Sequence, residues 1–154
     1  MADTYTQIYI HYVFATKTRI RIINSDLQNE LYNYVAGLTR ELGCFLQCIG
    51  GMEDHMHLLI GLHPTMSVST FAQKMKANTS RFINDQGWAW GKFSWQEGYG
   101  AFSVSQSGLG QVREYISHQK EHHQSSSFIH EYESLLAKYH VDYEKKYLFE
   151  ELNT

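Results

Sequence analysis

Residues 44–61 read CFLQCIGGMEDHMHLLIG, two short apolar runs separated only by Glu53 and Asp54. Runs of this length bounded by turn-forming residues read as strands, and so short a separation favours an antiparallel hairpin. A β-bulge is expected at Gly50-Gly51, where the pleat can take an extra residue. Side chains alternate along a strand, so His55 and His57 project from one face and Met56 and Leu58 from the other. The hairpin therefore sends two imidazoles to a common side of a sheet.

The flanking segments supply the rest of a fold. Upstream, Ile8, Ile10, Tyr12 and Phe14 alternate with Tyr9, His11, Val13 and Ala15, a strand buried on at least one face. Asn24 or Ser25 then caps a helix to about Leu42, with an apolar stripe through Leu27, Leu31, Tyr34, Val35 and Leu38 and a stop at Gly43. Downstream, a second helix starts near Ser67, its core stripe running through Val68, Phe71, Ala72, Met75, Thr79, Phe82 and Ile83. A fourth strand follows in GYGAFSVSQSG, then a helix through LGQVREYISHQKEHH and another around HEYESLLAKYH. The order β-α-β-β-α-β is the ferredoxin-like arrangement, an α+β antiparallel sheet with helices on one face, here extended by C-terminal helices. Many unrelated functions use that architecture, so it assigns none.

The chain has 154 residues, 43% hydrophobic and 19% charged, enough for one domain with a core. A single domain over 1–154 is expected, with the sheet core at about 5–106 and the later helices at about 109–150. One proline and no Gly/Ser tract argue against a flexible linker. The opening lacks the apolar stretch of a secretory signal, and no run has the length to span a bilayer. Cys44 and Cys48 have neither redox nor zinc spacing and read as small buried residues of a reduced, cytoplasmic protein. The formal net charge of −3 gives no general attraction for nucleic acid. Its distribution is uneven, because no acid occurs from Thr4 to Ser25 or from His55 to Asn84. Those stretches carry Lys17, Arg19 and Arg21, and Lys74, Lys76 and Arg81, so a local basic surface is compatible with the sequence.

Two neutral imidazoles converging on one side suit a metal ion. With 9 histidines in the chain, about 0.5 His-x-His pairs arise by chance, so the spacing alone is not specific. The helix VREYISHQKEHH carries further donors: Tyr115, His118, Gln119 and His122 lie three and four apart and share one face. Tyrosine is a poor nucleophile while protonated, with an ordinary pKa of about 10. A hard cation held by two histidines and an amide oxygen would polarise a phosphodiester and offset charge developing in an in-line displacement. Lys74, Asn78 and Arg81 form a second stripe on their helix, suited to a DNA backbone or to solvent. Trp88, Trp90, Trp95 and Tyr99 suit either stacking on unpaired bases or closure of the core.

Together these motifs resemble a known family. DHMHLLI is similar to the His-hydrophobic-His motif of the HUH endonuclease superfamily, and REYISHQ to the nucleophile helix of its single-tyrosine transposases. FSWQEGYGAFSVS and FIHEYESLLAKYHVDYEKKYLF also resemble stretches those transposases carry in the same order, from about Tyr5 to Phe149. The resemblance implies a small insertion-sequence transposase, with REP-associated tyrosine transposases among its relatives. It implies His55, His57 and Gln119 as ligands of Mg²⁺ or Mn²⁺, and Tyr115 as the nucleophile that forms a 5′-phosphotyrosine. His118 and His122 are additional candidate ligands, and Lys74, Asn78, Arg81 and Trp95 candidate DNA contacts. The implied partners are single-stranded DNA with hairpins at element ends and a second copy of the chain. In that homodimer the active sites are composite, and the SGLG segment before the Tyr115 helix would act as a hinge. A binding module without nuclease activity, or a host-retained relative acting on chromosomal repeats, would share the same fold.

Overall fold

The computed structural model describes residues 3–122 and 127–144. Its strands are β1 (Tyr9–Ala15), β2 (Phe45–Met52), β3 (His55–Gly61) and β4 (Gly100–Val104). Its helices are α1 (Ser25–Glu41), α2 (Val68–Gln86), α3 (Leu109–Ser117), α4 (Gln119–His122) and α5 (Phe128–Lys138). The strands form one antiparallel sheet in the order β2-β3-β1-β4. With β1-α1-β2 crossing over the inserted β3, this is the ferredoxin-like order expected from the sequence. Among the described residues no helix is long and apolar enough to cross a membrane.

Local chemistry sets the element boundaries. The Asn24 side-chain oxygen accepts from the backbone N–H groups of Asp26 and Leu27, both at 3.0 Å, which satisfies donors that a helix start leaves open. Ser67 caps α2 in the same way through the Thr70 N–H, and Gly87 ends that helix in the left-handed conformation at φ 70°. The β2–β3 hairpin turns at Glu53-Asp54, with Met52 paired to His55. The sheet irregularity falls between Leu46 and Cys48, not at Gly50-Gly51. Those glycines answer a different demand. A Cβ on Gly50 would lie 2.3 Å from the Ile116 carbonyl oxygen, and one on Gly51 the same distance from that of His55. At Gly50 only glycine lets the end of α3 settle this closely on the sheet, and at Gly51 only glycine fits against the β3 backbone.

Strand alternation divides the sheet into two faces, both covered. On one, Ile10, Tyr12, Phe14, Met56, Leu58 and Ile60 pack against Leu31, Val35 and Leu38 of α1 and Phe71, Ala72, Met75 and Ile83 of α2. Each such fully buried side chain contributes about 1.5–3 kcal/mol by leaving water. On the other face, Val13, Ala15 and Phe102 meet Phe128, Tyr132, Leu135 and Leu136 of α5, while Leu59 meets Leu109, Val112 and Ile116 of α3. The expected helices on one face are thus α1 and α2, and the C-terminal helices cover the reverse side. Gly100 admits α5, since a Cβ there would stand 2.7 Å from the Tyr132 hydroxyl.

One expected element is interrupted. The helix read through residues 109–123 breaks at His118, whose backbone lies at φ −106°, ψ 29°. The His118 backbone N–H and its ring Nδ1–H both donate to the Glu114 carbonyl. The chain restarts as the short α4, so Tyr115, His118 and Gln119 do not share one face. Gln119 turns inward and is 2% exposed, while His118 faces solvent.

Candidate active site

The reverse face of β3 presents His55 and His57, both fully buried. Burying an imidazole away from water is unfavourable unless its nitrogens find partners. Both rings are engaged at both nitrogens. His55 Nδ1 lies 2.8 Å from Asp54 Oδ1, and its Nε2 lies 2.9 Å from Gln119 Oε1. His57 Nδ1 lies 2.8 Å from His11 Nε2, and its Nε2 lies 2.7 Å from Glu131 Oε1. In each case Nδ1 is anchored from behind and Nε2 is directed toward a shared centre.

The anchor behind His55 is itself held. Arg19 donates to Asp54 Oδ2 through Nε at 3.1 Å and through Nη2 at 2.5 Å. Burial alone would raise the Asp54 pKa, but the hydrogen bond and charge of His55, with Arg19, outweigh it and hold the group at about 2. An ionised carboxylate only accepts, so His55 donates from Nδ1. Its Nε2 then faces the Gln119 carbonyl oxygen. With the amide oxygen in this orientation, a proton or a cation between the two lone pairs satisfies both. The Phe128 ring stacks on His55 with centroids 4.2 Å apart, and the Arg19 guanidinium lies 4.3 Å from the Phe128 centroid.

Tyr115 reaches the same centre from α3. Its ring stands edge-on to His57 at 5.7 Å between centroids and lies 6.2 Å from His11. Burial pushes its pKa well above the ordinary phenol value, and the Glu131 carboxylate that it hydrogen-bonds pushes it further. A hydrogen bond from the Gln119 side chain pulls weakly the other way. The phenol is therefore protonated at neutral pH, and its proton already has an acceptor in Glu131. A hollow of about 280 Å³, lined in part by Gln28, Gly51, Ser117, Gln119 and Lys120, opens beside Gln119.

His55, His57, Gln119 and Tyr115 thus converge, and three further residues join them that the motifs do not mark. Glu131 belongs to α5, and its carboxylate forms with the two histidines a group whose ligand atoms lie within 4.8 Å of one another. A signal for it exists, since Glu131 sits inside the apolar stripe of Phe128, Tyr132, Leu135 and Leu136, where an acid is out of place. Asp54 reads as a turn residue, and His11 as one more polar position in a strand. His118 lies outside the cluster, and the side chain of His122 lies outside the described residues.

The candidate DNA contacts behave differently. Lys74 and Arg81 are exposed on α2, and Asn78 donates to the Lys74 carbonyl at 2.8 Å. That helix covers the face of the sheet opposite the histidines, so its stripe does not border the site. Trp95 is a core residue, 5% exposed, with Nε1 donating to Thr79 Oγ1 at 2.8 Å, and offers no free ring to a base. Trp88 packs edge-on against Phe82, Tyr99 lies near Tyr12 and Phe14, and Trp90 is fully exposed.

The antiparallel ferredoxin-like sheet thus buries paired histidines beside a tyrosine and an amide on one of its faces. The family described as Transposase IS200 like matches residues 4–119, and the chain belongs to that family of DNA-processing enzymes. Two solved structures share its fold. One, described as a candidate transposase from Deinococcus radiodurans R1, is 22% identical with a TM-score of 0.61, covering 77% of this chain and 95% of that one. The other, a REP-associated tyrosine transposase bound to a REP hairpin, is 13% identical with a TM-score of 0.60, covering 80% and 73%. No curated protein matches the chain in sequence.

Proposed function

We propose that this transposase cleaves and rejoins single-stranded DNA through a covalent 5′-phosphotyrosine at Tyr115, with a divalent cation held by His55, His57 and Gln119. The observation that carries the reading is the convergence of the Tyr115 hydroxyl, two inward-facing imidazoles and the Gln119 amide on one buried centre. The donor set fits a hard divalent cation, because the facing acceptors of His55 and Gln119 and the nearby Glu131 carboxylate all favour positive charge between them. When bound, such a cation polarises the scissile phosphate and offsets its developing charge. The residues themselves do the rest. Asp54 and His11 hold the imidazoles in place, and α3 presents the tyrosine. As the Tyr115 oxygen bonds to phosphorus, its proton passes to the Glu131 carboxylate. The bond from phosphorus to the 3′ oxygen breaks, and that oxygen leaves as a 3′-OH after taking a proton. Attack by a 3′-OH on the phosphotyrosine reverses these steps and rejoins the strand. A hairpin near the cleavage site is the substrate feature suggested by the REP-bound relative.

Incubating the protein with single-stranded DNA carrying a hairpin and Mg²⁺ or Mn²⁺ is expected to yield a covalent adduct that survives denaturing electrophoresis. Tyr115→Phe removes the nucleophilic oxygen and is expected to give none. DNA binding without an adduct in the intact protein would replace the reading with a non-catalytic binding module.

A further inference from the structure

His55 and His57 are anchored by chemically different partners. Ionised Asp54 is an acceptor only, so Nδ1 of His55 is the donor of that pair. His11 can donate or accept, so the bond between His11 Nε2 and His57 Nδ1, 2.8 Å long, can run in either direction. In the protein without a cation, His57 Nε2 lies 2.7 Å from Glu131 Oε1, so the single proton of the His57 ring sits on Nε2 facing the carboxylate. His57 Nδ1 then accepts from His11 Nε2–H. Ligation through His57 Nε2 requires the opposite tautomer, with the proton on Nδ1 donated to His11 Nε2 and the His11 proton on its own Nδ1. Each ring carries one proton before and after, so no buried charge is created by the exchange.

We infer that His11 is a positioning residue that lets His57 change tautomer and thereby sets the affinity of the site for a divalent cation. This inference rests on the metal reading given above. Three observations support it. His11 lies in the middle of a strand whose neighbours Ile10, Tyr12 and Val13 are core residues, yet it is itself polar and 1% exposed. Its ring is confined by the edges of Phe102 and Tyr115, at 6.1 and 6.2 Å, and tilted 35° to His57. Its Nε2 lies 2.8 Å from His57 Nδ1, and a neutral imidazole can either give or take that hydrogen bond. A leucine would fill the same space without the cost of burying an imidazole. Ligating histidines depend on the partner of their other nitrogen for ring orientation and basicity.

The test is Mn²⁺ binding followed by electron paramagnetic resonance in the wild type, His11→Leu and His11→Gln, alongside their melting temperatures and imidazole ¹H–¹⁵N spectra. His11→Leu is expected to weaken Mn²⁺ binding by about tenfold or more, the usual range for loss of such a partner. His11→Gln, whose side-chain amide both donates and accepts, is expected to restore binding to within about threefold of the wild type. In the wild-type spectra, Mg²⁺ is expected to move the His57 proton from Nε2 to Nδ1. Mn²⁺ bound equally well by His11→Leu, or equally poorly by both variants, overturns the role of His11. Should His11→Leu fail to fold, a His57 proton already on Nδ1 without metal would overturn it. A wild type that binds no Mn²⁺ overturns the metal reading itself, and this inference with it.

Discussion

The two faces of the sheet are built from the same strands by alternate residues, and both are buried, but burial does different work on each. Toward α1 and α2 lie Tyr12, Phe14, Met56, Leu58 and Ile60, whose contacts are almost entirely apolar. Toward α3, α4 and α5 lie His11, His55 and His57, met by Gln119, Tyr115 and Glu131. The first face stabilises the fold by removing hydrocarbon from water. The second takes titratable groups out of water and recovers stability only because each finds a partner. Buried titratable groups paired in this way cluster at functional sites.

Neighbours on β3 give the sharpest test of that division. His57→Ala is expected to abolish adduct formation while leaving the protein folded by circular dichroism. Mixing His57→Ala with Tyr115→Phe separates two assemblies. Tyr115 lies beside the His57 of its own chain, so the mixture is expected to stay inactive, and recovered cleavage would show that the tyrosine helix serves a second subunit. Leu58, one residue along and fully buried on the other face, should behave in reverse. Leu58→Ala is expected to cost about 2–5 kcal/mol in denaturant unfolding, with cleavage per folded molecule near the wild-type value. Loss of cleavage from a still-folded Leu58→Ala protein would mean that the two faces are not separable.

The smallest effect belongs to the link between the site and the fold. Asp54 has a folded-state pKa of about 2, below its ordinary value of 3.8. A depressed carboxylate contributes stability that is complete above its unfolded pKa and disappears as pH falls through the folded one. Asp54→Asn is therefore expected to lose about 2 kcal/mol at neutral pH. The gap from wild type should close as urea unfolding is repeated from pH 4 down to pH 2. A gap independent of pH would place the effect in packing and not in the charge.

Much of the framework was legible in the residues. Asn24 and Ser67 announce helix starts because their side chains can take the open backbone donors, and Glu53-Asp54 announces a turn between two apolar runs. Period-two alternation by itself puts His55 and His57 on one face. What could not be read from local pattern arose from contacts between distant segments. The break at His118 has no proline or glycine to signal it. The bulge lies between Leu46 and Cys48, while Gly50 and Gly51 are needed for close contacts with the Ile116 and His55 carbonyls. Trp95 was a plausible stacking platform by type, yet the Thr79 hydroxyl and the Phe14 and Phe93 rings hold it in the core.

The sequence by itself determined the order of elements, the shared face of the histidine pair and the motif spacing of Tyr115 and Gln119, because strand and turn chemistry act over a few residues. Only the tertiary structure decided that Gln119 turns in while His118 turns out, and that Glu131 and His11 complete the cluster. Those choices depend on which side chains meet after α3 and α5 dock on the sheet, and docking is decided by shape and hydrogen bonding between segments far apart in the chain.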